Sequence, residues 1–159
     1  GIDGNTSSVY TNSPETVTAQ GVTVGLTYNL PKGYMIGANY NWNSLVDVPA
    51  AFIAEFNTPE HKMNFTFGNR KLTDKFGFNI AWRWQSGFDW QSSFTNYTLY
   101  PVPAYSTVDA QVTYKLPDLK STLKVGGSNL LNNYYIQSGG GPNIGGLYYV
   151  SVIFDQLFR

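Results

Sequence analysis

The stretch "YMIGANYNWN", residues 34–43, alternates apolar and polar side chains almost without a break. One set of alternate positions is apolar throughout: Tyr34, Ile36, Ala38, Tyr40 and Trp42. The other set is small or polar apart from one methionine: Met35, Gly37, Asn39, Asn41 and Asn43. Because successive side chains of a strand point to opposite faces, this period of two predicts a β-strand with one apolar face.

The same period recurs on both sides of this stretch. It is clear in residues 21–30, 61–69, 76–85 and 105–116, weaker in 121–129, and imperfect in the closing run "GGLYYVSVIFDQLFR". No segment has a convincing helical period, and no linker or internal repeat divides the chain. The sequence therefore predicts an all-β protein of about seven antiparallel strands.

The connections between these strands alternate strictly in length. Three are short and contain turn residues, namely residues 31–33, 69–75 and 117–120, and three are long, namely residues 44–60, 86–104 and 130–145. Lys and Arg collect near the short connections, although Asp74 and Asp118 break this trend. Short turns at one end and long loops at the other are typical of outer-membrane β-barrels, in which the turns are periplasmic.

Composition narrows the class of protein. The 159 residues include 10 Lys+Arg and 10 Asp+Glu, so that charged residues are 13% of the chain and the formal net charge is zero. This is about half the usual charged fraction of ~25%, and a nucleic-acid-binding surface would be basic. With no Cys and one His (His61), the chain has no thiol chemistry and little basis for a metal site. It also lacks the run of about 18 apolar residues that a transmembrane helix needs.

The apolar faces predict contact with lipid. Their polar counterparts carry Asn, Thr, Gly and Gln with few charges, whereas a water-exposed sheet face normally carries more Lys and Glu. Aromatic residues stand near the strand ends, as at the interfaces of membrane barrels. The predicted lipid-facing residues are Ile36, Tyr40, Trp42, Phe65, Phe78, Trp82, Val112 and Val152.

The predicted strand number is odd, whereas bacterial single-chain barrels have even numbers. We therefore expect residues 1–159 to be the C-terminal segment of a larger barrel. Two alternatives remain at this point. One is a soluble, secreted β-sandwich that binds carbohydrate. The other is a small complete outer-membrane barrel, which would need an eighth strand from residues 5–15.

Three stretches resemble one family in order along the chain. They are "FNTPEHKMNFTFG" (56–68), "VPAYSTVDAQVTYKLP" (102–117), and "LKVGGSNLLNNYY" (123–135) with "GGPNIGGLYYVSVIFD" (140–155). Together they are similar to the end of the barrel in SusC-like TonB-dependent outer-membrane transporters of Bacteroidetes. Gln156 and Arg159 depart from the expected closing pattern of apolar residues.

The resemblance implies a barrel of 22 strands with a plug in its lumen, importing glycans or peptides with energy from TonB. It implies a SusD-like surface lipoprotein as partner, and no cofactor. The family's plug and TonB box belong to its N-terminal part and have no counterpart in these residues.

Two sets of residues are candidates for function within such a barrel. Arg83, Asp109 and Lys124 lie on polar faces and would contact the plug or line a substrate path, or simply balance charge in a hydrated lumen. Loop aromatics would stack on sugar rings, or instead pack within the loops or against the lipoprotein: Trp90, Phe94, Tyr97, Tyr100, Tyr134 and Tyr135. No catalytic constellation is present, since Glu60, Asp109 and Asp155 make no credible acid pair.

Overall fold

The computed structural model describes residues 16–49, 54–92 and 96–154. The strands within these ranges are β1 (Thr18–Asn29), β2 (Tyr34–Asp47), β3 (His61–Asn69), β4 (Phe76–Gln85), β5 (Phe88–Trp90), β6 (Tyr100–Val102), β7 (Tyr105–Leu116), β8 (Ser121–Ser128) and β9 (Leu147–Phe154). Short 3-10 turns occupy Pro31–Gly33 and Pro117–Leu119. No helix in these ranges is long and apolar enough to cross a membrane.

Seven strands form one antiparallel sheet in the order β1-β2-β3-β4-β7-β8-β9. This confirms the seven strands predicted from the alternation. The alternation did not reveal the small hairpin β5–β6, which lies inside the predicted long connection 86–104 and forms a separate two-stranded sheet. The eighth strand considered for residues 5–15 lies outside the described residues.

The strand register keeps apolar residues on one face across the whole sheet. One row joins Leu26 to Ala38, Ala38 to Phe65, Phe65 to Trp82 and Trp82 to Val108. A second row runs through Phe78, Val112, Val125 and Val150. Because a slip of one residue would move a strand's apolar set to the other face, these continuous rows fix the register.

This apolar face is not covered by another layer of the described chain. Large apolar side chains on it stay open, including Leu26 at 66% exposed and Val150 at 70%. Among the described residues the buried apolar core consists of Val102 alone, at 1% exposed, and Val102 belongs to the small hairpin. A water-soluble domain hides such a face under a second sheet or helices, and this sheet does not.

Aromatic side chains cluster toward both ends of the apolar face. At the short-turn end, Phe67 stacks on Tyr34 with ring centroids 5.7 Å apart and meets Phe78 edge-on at 5.6 Å. At the long-loop end, the Tyr40 hydroxyl lies 2.7 Å from His61 Nδ1, and Trp42 Nε1 donates to Glu60 Oε1 at 3.1 Å. Tyrosine and tryptophan combine an apolar ring with a polar atom that forms a hydrogen bond, and such residues are enriched where a membrane meets water on either side.

One buried asparagine joins two short turns. Asn69 is 1% exposed; its Nδ2 donates to the Lys32 carbonyl at 2.9 Å, and its Oδ1 accepts from the Lys71 amide at 2.9 Å. Lys32 adopts a left-handed backbone with φ of 61°. The side chain of Asn69 therefore supports a turn conformation that a lysine adopts only at a cost in energy.

Replacing Asn69 by alanine is expected to lower the free energy of unfolding by about 1–3 kcal/mol, because two buried hydrogen bonds are lost. Asn69→Asp keeps the acceptor for the Lys71 amide but not the donor, so its loss should be intermediate. Urea titration of the protein refolded in phospholipid vesicles measures both. Equal stability of Asn69→Ala and the native protein would show that the two turns hold without this side chain.

Candidate functional site

Hydrogen bonds between side chains of different strands organise the polar face. Thr23 Oγ1 donates to Asn41 Oδ1 at 2.7 Å, and Asn64 Nδ2 donates to Asn39 Oδ1 at 2.6 Å. The Tyr149 hydroxyl donates to Gln111 Oε1 at 2.9 Å. The face is therefore a layer of amides and hydroxyls that is largely uncharged, suited to a hydrated interior rather than to bulk solvent.

Tyr149 reaches Gln111 by crossing over Gly126. A Cβ added at Gly126 would meet the Tyr149 hydroxyl oxygen at 2.7 Å and the Ala110 carbonyl oxygen at 2.7 Å. The glycine thus leaves the space in which the tyrosine ring lies. Shielding of a strand glycine by a neighbouring aromatic ring is a known way of strengthening a sheet at such a position.

The structure brings together two of the three charged candidates on this face. Arg83 forms an ion pair with Asp109, whose other carboxylate oxygen accepts the Asn129 amide at 2.8 Å. The Asp109 side chain is 15% exposed and that of Arg83 is 58% exposed. Lys124 does not join this pair: it lies beside Thr113 toward the short-turn end. Asp109 therefore ties strands β4 and β7 to the segment that follows β8.

Two substitutions separate the hydrogen bond that Asp109 accepts from the Asn129 amide from its ion pair with Arg83. Asp109→Asn keeps an oxygen for the Asn129 amide and is expected to cost less than about 1 kcal/mol of stability, because Arg83 is largely exposed. Asp109→Ala leaves that amide without its acceptor and is expected to cost about 1–3 kcal/mol. Unfolding titrations of the two variants measure the difference. Equal losses would mean that the ion pair, not the amide contact, carries the effect.

The three long connections touch one another at the same end of the sheet. Asn57 Nδ2 donates to the Gln91 carbonyl at 2.8 Å and Asn57 Oδ1 accepts the Gln91 amide at 2.7 Å, which joins the first connection to the second. The third reaches the second through Gly139, where an added Cβ would lie 2.6 Å from Trp90 and 2.7 Å from Tyr100. Tyr135 stacks on Tyr105 with ring centroids 4.0 Å apart. The connections therefore form one connected surface.

The predicted loop aromatics have different environments on this surface. Trp90 and Tyr100 are directly opposite each other in the β5–β6 hairpin, and both approach Gly139. Tyr135 is engaged with Tyr105. Tyr97 is 42% exposed and Tyr134 is 71% exposed. Phe94 lies outside the described residues. The rings free to meet a ligand are therefore chiefly Tyr97, Tyr134 and the outer side of Tyr100.

Side-chain hydrogen bonds fix the conformation of the segment "NLLNN", residues 129–133, although it lies at the start of a long connection. Asn129, 3% exposed, donates through Nδ2 to the Asn133 carbonyl at 2.8 Å and accepts the Asn133 amide at 3.2 Å. Asn132 accepts the Gly146 amide at 2.8 Å. Asn129 and Asn132 each have a φ of 51°, a left-handed conformation that asparagine tolerates better than most residues. Repeated asparagines were the available sequence signal for this turn.

All eight predicted lipid-facing residues lie on the apolar face by strand register. Phe65, Trp82, Val112 and Val152 are among its exposed side chains. No cluster of three or more His, Cys, Asp or Glu in the described part of the chain is arranged to hold a metal ion.

An antiparallel meander with one bare apolar face and one hydrogen-bonded polar face is the architecture of a membrane β-barrel wall. The chain belongs to the family described as TonB dependent receptor-like, beta-barrel, whose model matches residues 1–130. This confirms the predicted fold class.

Solved structures show the same fold. A chain in the complex of FpvAI with pyocin S2 matches with a TM-score of 0.67 and 16% identity, over 86% of this chain and 19% of that chain. The ferric-catecholate import receptor Fiu from E. coli K12 matches in its closed form with a TM-score of 0.67 and 14% identity, over 86% of this chain and 20% of that chain. Its open form matches with a TM-score of 0.64 and 15% identity, with the same coverage. This chain thus spans about a fifth of the length of these structures. No curated protein shows significant sequence similarity to it.

Proposed function

We propose that this chain forms wall and outer loops of a TonB-dependent transporter in the outer membrane of a Gram-negative bacterium. The observation that carries the proposal is the apolar face, which extends over seven strands and is covered by nothing in the described chain. In a bilayer, lipid tails cover that face, whereas in water it would stay exposed. In this proposal, eight residues of the apolar face contact lipid: Ile36, Tyr40, Trp42, Phe65, Phe78, Trp82, Val112 and Val152.

The sheet supplies part of a barrel wall in this proposal. In the described chain, β1 and β9 each pair on one side only, which leaves an edge at either end of the sheet. A closed barrel removes such edges by adding strands. Because the chain spans about a fifth of its structural relatives, we assign it to part of a larger barrel. On the resemblance of its sequence, we propose that residues 1–159 are the C-terminal part of a plugged barrel of 22 strands. TonB would act through a segment N-terminal to these residues.

Two alternatives fit the structure less well. A secreted carbohydrate-binding sandwich needs a second layer over the apolar face, and residues 16–49, 54–92 and 96–154 provide none. A small complete barrel needs closure of the sheet on itself, whereas the described β1 and β9 do not pair with each other. Extraction of the native protein without detergent would favour the sandwich and contradict the proposal.

Single cysteines test the membrane orientation, because residues 1–159 contain no native cysteine. Tyr134→Cys marks the long-loop end and Leu119→Cys marks the short-turn end; both native side chains are exposed, at 71% and 66%. A membrane-impermeant maleimide added to whole cells should label only the cysteine at 134. Both should label once the outer membrane is permeabilised. The opposite pattern, or equal labelling in whole cells, would overturn the assignment.

For the substrate we propose glycans or peptides, with a SusC-like transporter and a SusD-like surface lipoprotein as its partner. The support is the resemblance of residues 56–68, 102–117, 123–135 and 140–155, together with the exposed rings of Tyr100 and Tyr134 on the loop surface. Uptake of fluorescent oligosaccharides is expected to fall in a Tyr100→Ala/Tyr134→Ala variant. Leu131→Ala, at an exposed site of the same loop (65%), is the control. Equal uptake in both variants would remove these rings from the substrate path.

A further inference from the structure

The apolar face contains a groove of about 350 Å³ between the centre of the sheet and its long-loop end. The groove lies over Ala38, which stands between Leu26 and Phe65 in one row of the sheet. Asn39 and Asn64 also border it, but their side chains bond each other on the polar face. The groove is therefore apolar, and it exists because a small side chain stands among six larger ones: Val24, Leu26, Tyr40, Met63, Phe65 and Trp82.

Polar atoms stand at the long-loop end of this groove. Beyond Tyr40, the next residues on the apolar face are Trp42 and His61, which are directly opposite each other in β2 and β3. The Tyr40 hydroxyl lies 2.7 Å from His61 Nδ1. Trp42 Nε1 donates to Glu60 Oε1 at 3.1 Å, and His61 Nε2 lies 3.8 Å from the same oxygen. These contacts hold the Glu60 carboxylate at the outer rim of the apolar face, next to the groove.

The Glu60 carboxylate is open to a cationic partner. Its side chain is 58% exposed, and no Lys or Arg of the described ranges forms an ion pair with it. Its neighbour there, His61, carries a charge only when protonated. Lys62 lies on the opposite, polar face. An ammonium group that approaches along the membrane surface would therefore meet a carboxylate without a competing lysine or arginine from these ranges.

We propose that the groove and Glu60 bind one lipid of the outer leaflet, with an acyl chain over Ala38 and a headgroup ammonium against the Glu60 carboxylate. The inference rests on the proposed function, which places this face in the bilayer and the long loops outside the cell. It goes beyond general lipid contact, because an apolar groove with a carboxylate at its outer end fits a molecule with one apolar and one cationic part. A lipid without the ammonium group would keep the apolar contact and lose the ionic one.

Lipid photocross-linking of the intact receptor tests the proposal. The receptor is reconstituted in phosphatidylglycerol vesicles with a trace of a lipid that carries a diazirine in its acyl chain. The probe is either phosphatidylethanolamine, which has an ammonium headgroup, or phosphatidylglycerol, which has none. Mass spectrometry locates the cross-links. The ethanolamine probe is expected to label Met63 and Phe65 about threefold more than the glycerol probe, as for an exposed ion pair.

Two variants with matched controls assign this preference to the groove and the carboxylate. Glu60→Gln should abolish it, whereas Glu55→Gln, at an exposed carboxylate of the same long connection, should keep it. Ala38→Leu fills the groove and should also abolish it. Ala110→Leu is the same change on the same face, opposite Ile80 and outside the groove, and should keep it. Labelling at Val150, which is exposed on a distant strand, shows that each variant is inserted.

The outcomes separate this proposal from the one it rests on. Equal labelling of the groove by the two probes in the native receptor would overturn the lipid site, and so would a preference that survives Glu60→Gln or Ala38→Leu. The barrel would stand in each of these cases, because ordinary lipid would still label the apolar face. Absence of labelling by either probe at the groove and at Val150 in the native receptor would overturn the proposed function itself.

Discussion

Replacing Ile80 by arginine is expected to lower the free energy of unfolding in phospholipid vesicles by about 2–4 kcal/mol, the cost of a cation on the lipid face at mid-bilayer. Ile80 is central in β4, lies between Phe67 and Ala110 on the apolar face, and is 42% exposed. Its exposure means that packing loss adds little, so the measured change would report chiefly on lipid contact. Urea titration monitored by tryptophan fluorescence gives the value.

The neighbouring position supplies the control for this measurement. Ala81 is on the same strand but on the polar face, opposite Asp109. Arginine at 81 keeps its charge in a hydrated environment with a carboxylate nearby, so we expect a change well below that of Ile80→Arg. If both variants lost the same stability, the two faces would not differ in solvent, and the membrane assignment would fail.

Replacing Asn129 by alanine is expected to cost about 3–4 kcal/mol, through two separate contributions. Loss of the two side-chain hydrogen bonds to Asn133 contributes about 1 kcal/mol each. The φ of 51° at this position adds about 1–2 kcal/mol of backbone strain for alanine. Unfolding titrations again provide the measurement, and hydrogen exchange at the amides of residues 129–133 locates the effect.

Asn129→Gly separates these contributions, because glycine adopts a left-handed backbone without strain but makes no side-chain hydrogen bond. It should therefore be more stable than Asn129→Ala by roughly the strain term, about 1–2 kcal/mol. A glycine variant no more stable than the alanine variant would show that the turn relaxes on losing the asparagine.

Much of the sheet could be predicted because the alternation of apolar and polar residues is a local property of each strand. An alternation such as that of residues 34–43 gives both the strand and its two faces, and "PKG" marks the turn that follows the preceding strand. Since every connection within the sheet joins neighbours, sequence order alone gave strand order. The same alternation predicted that three charged residues lie on the polar face: Arg83, Asp109 and Lys124.

Contacts between distant segments could not be predicted in this way. The bonds between Asn57 and Gln91, and the approach of Gly139 to Trp90, join residues from different loops and have no periodic signature. The pairing of Arg83 with Asp109 but not with Lys124 depends on register across three strands. The close approach of the Arg70 backbone to Gly77, where an added Cβ would lie 2.6 Å from the Arg70 carbonyl oxygen, likewise has no periodic signature.

The uncovered apolar face makes the chain prone to aggregation before it is inserted into a membrane. In the proposed outer-membrane location, a newly made chain with this sequence would cross an aqueous compartment before its seven strands, each with one apolar face, are paired. Exposed apolar strands with open edges associate with one another readily. In the proposed location, the yield of folded protein would therefore depend on the rate of insertion into the bilayer relative to the rate of aggregation.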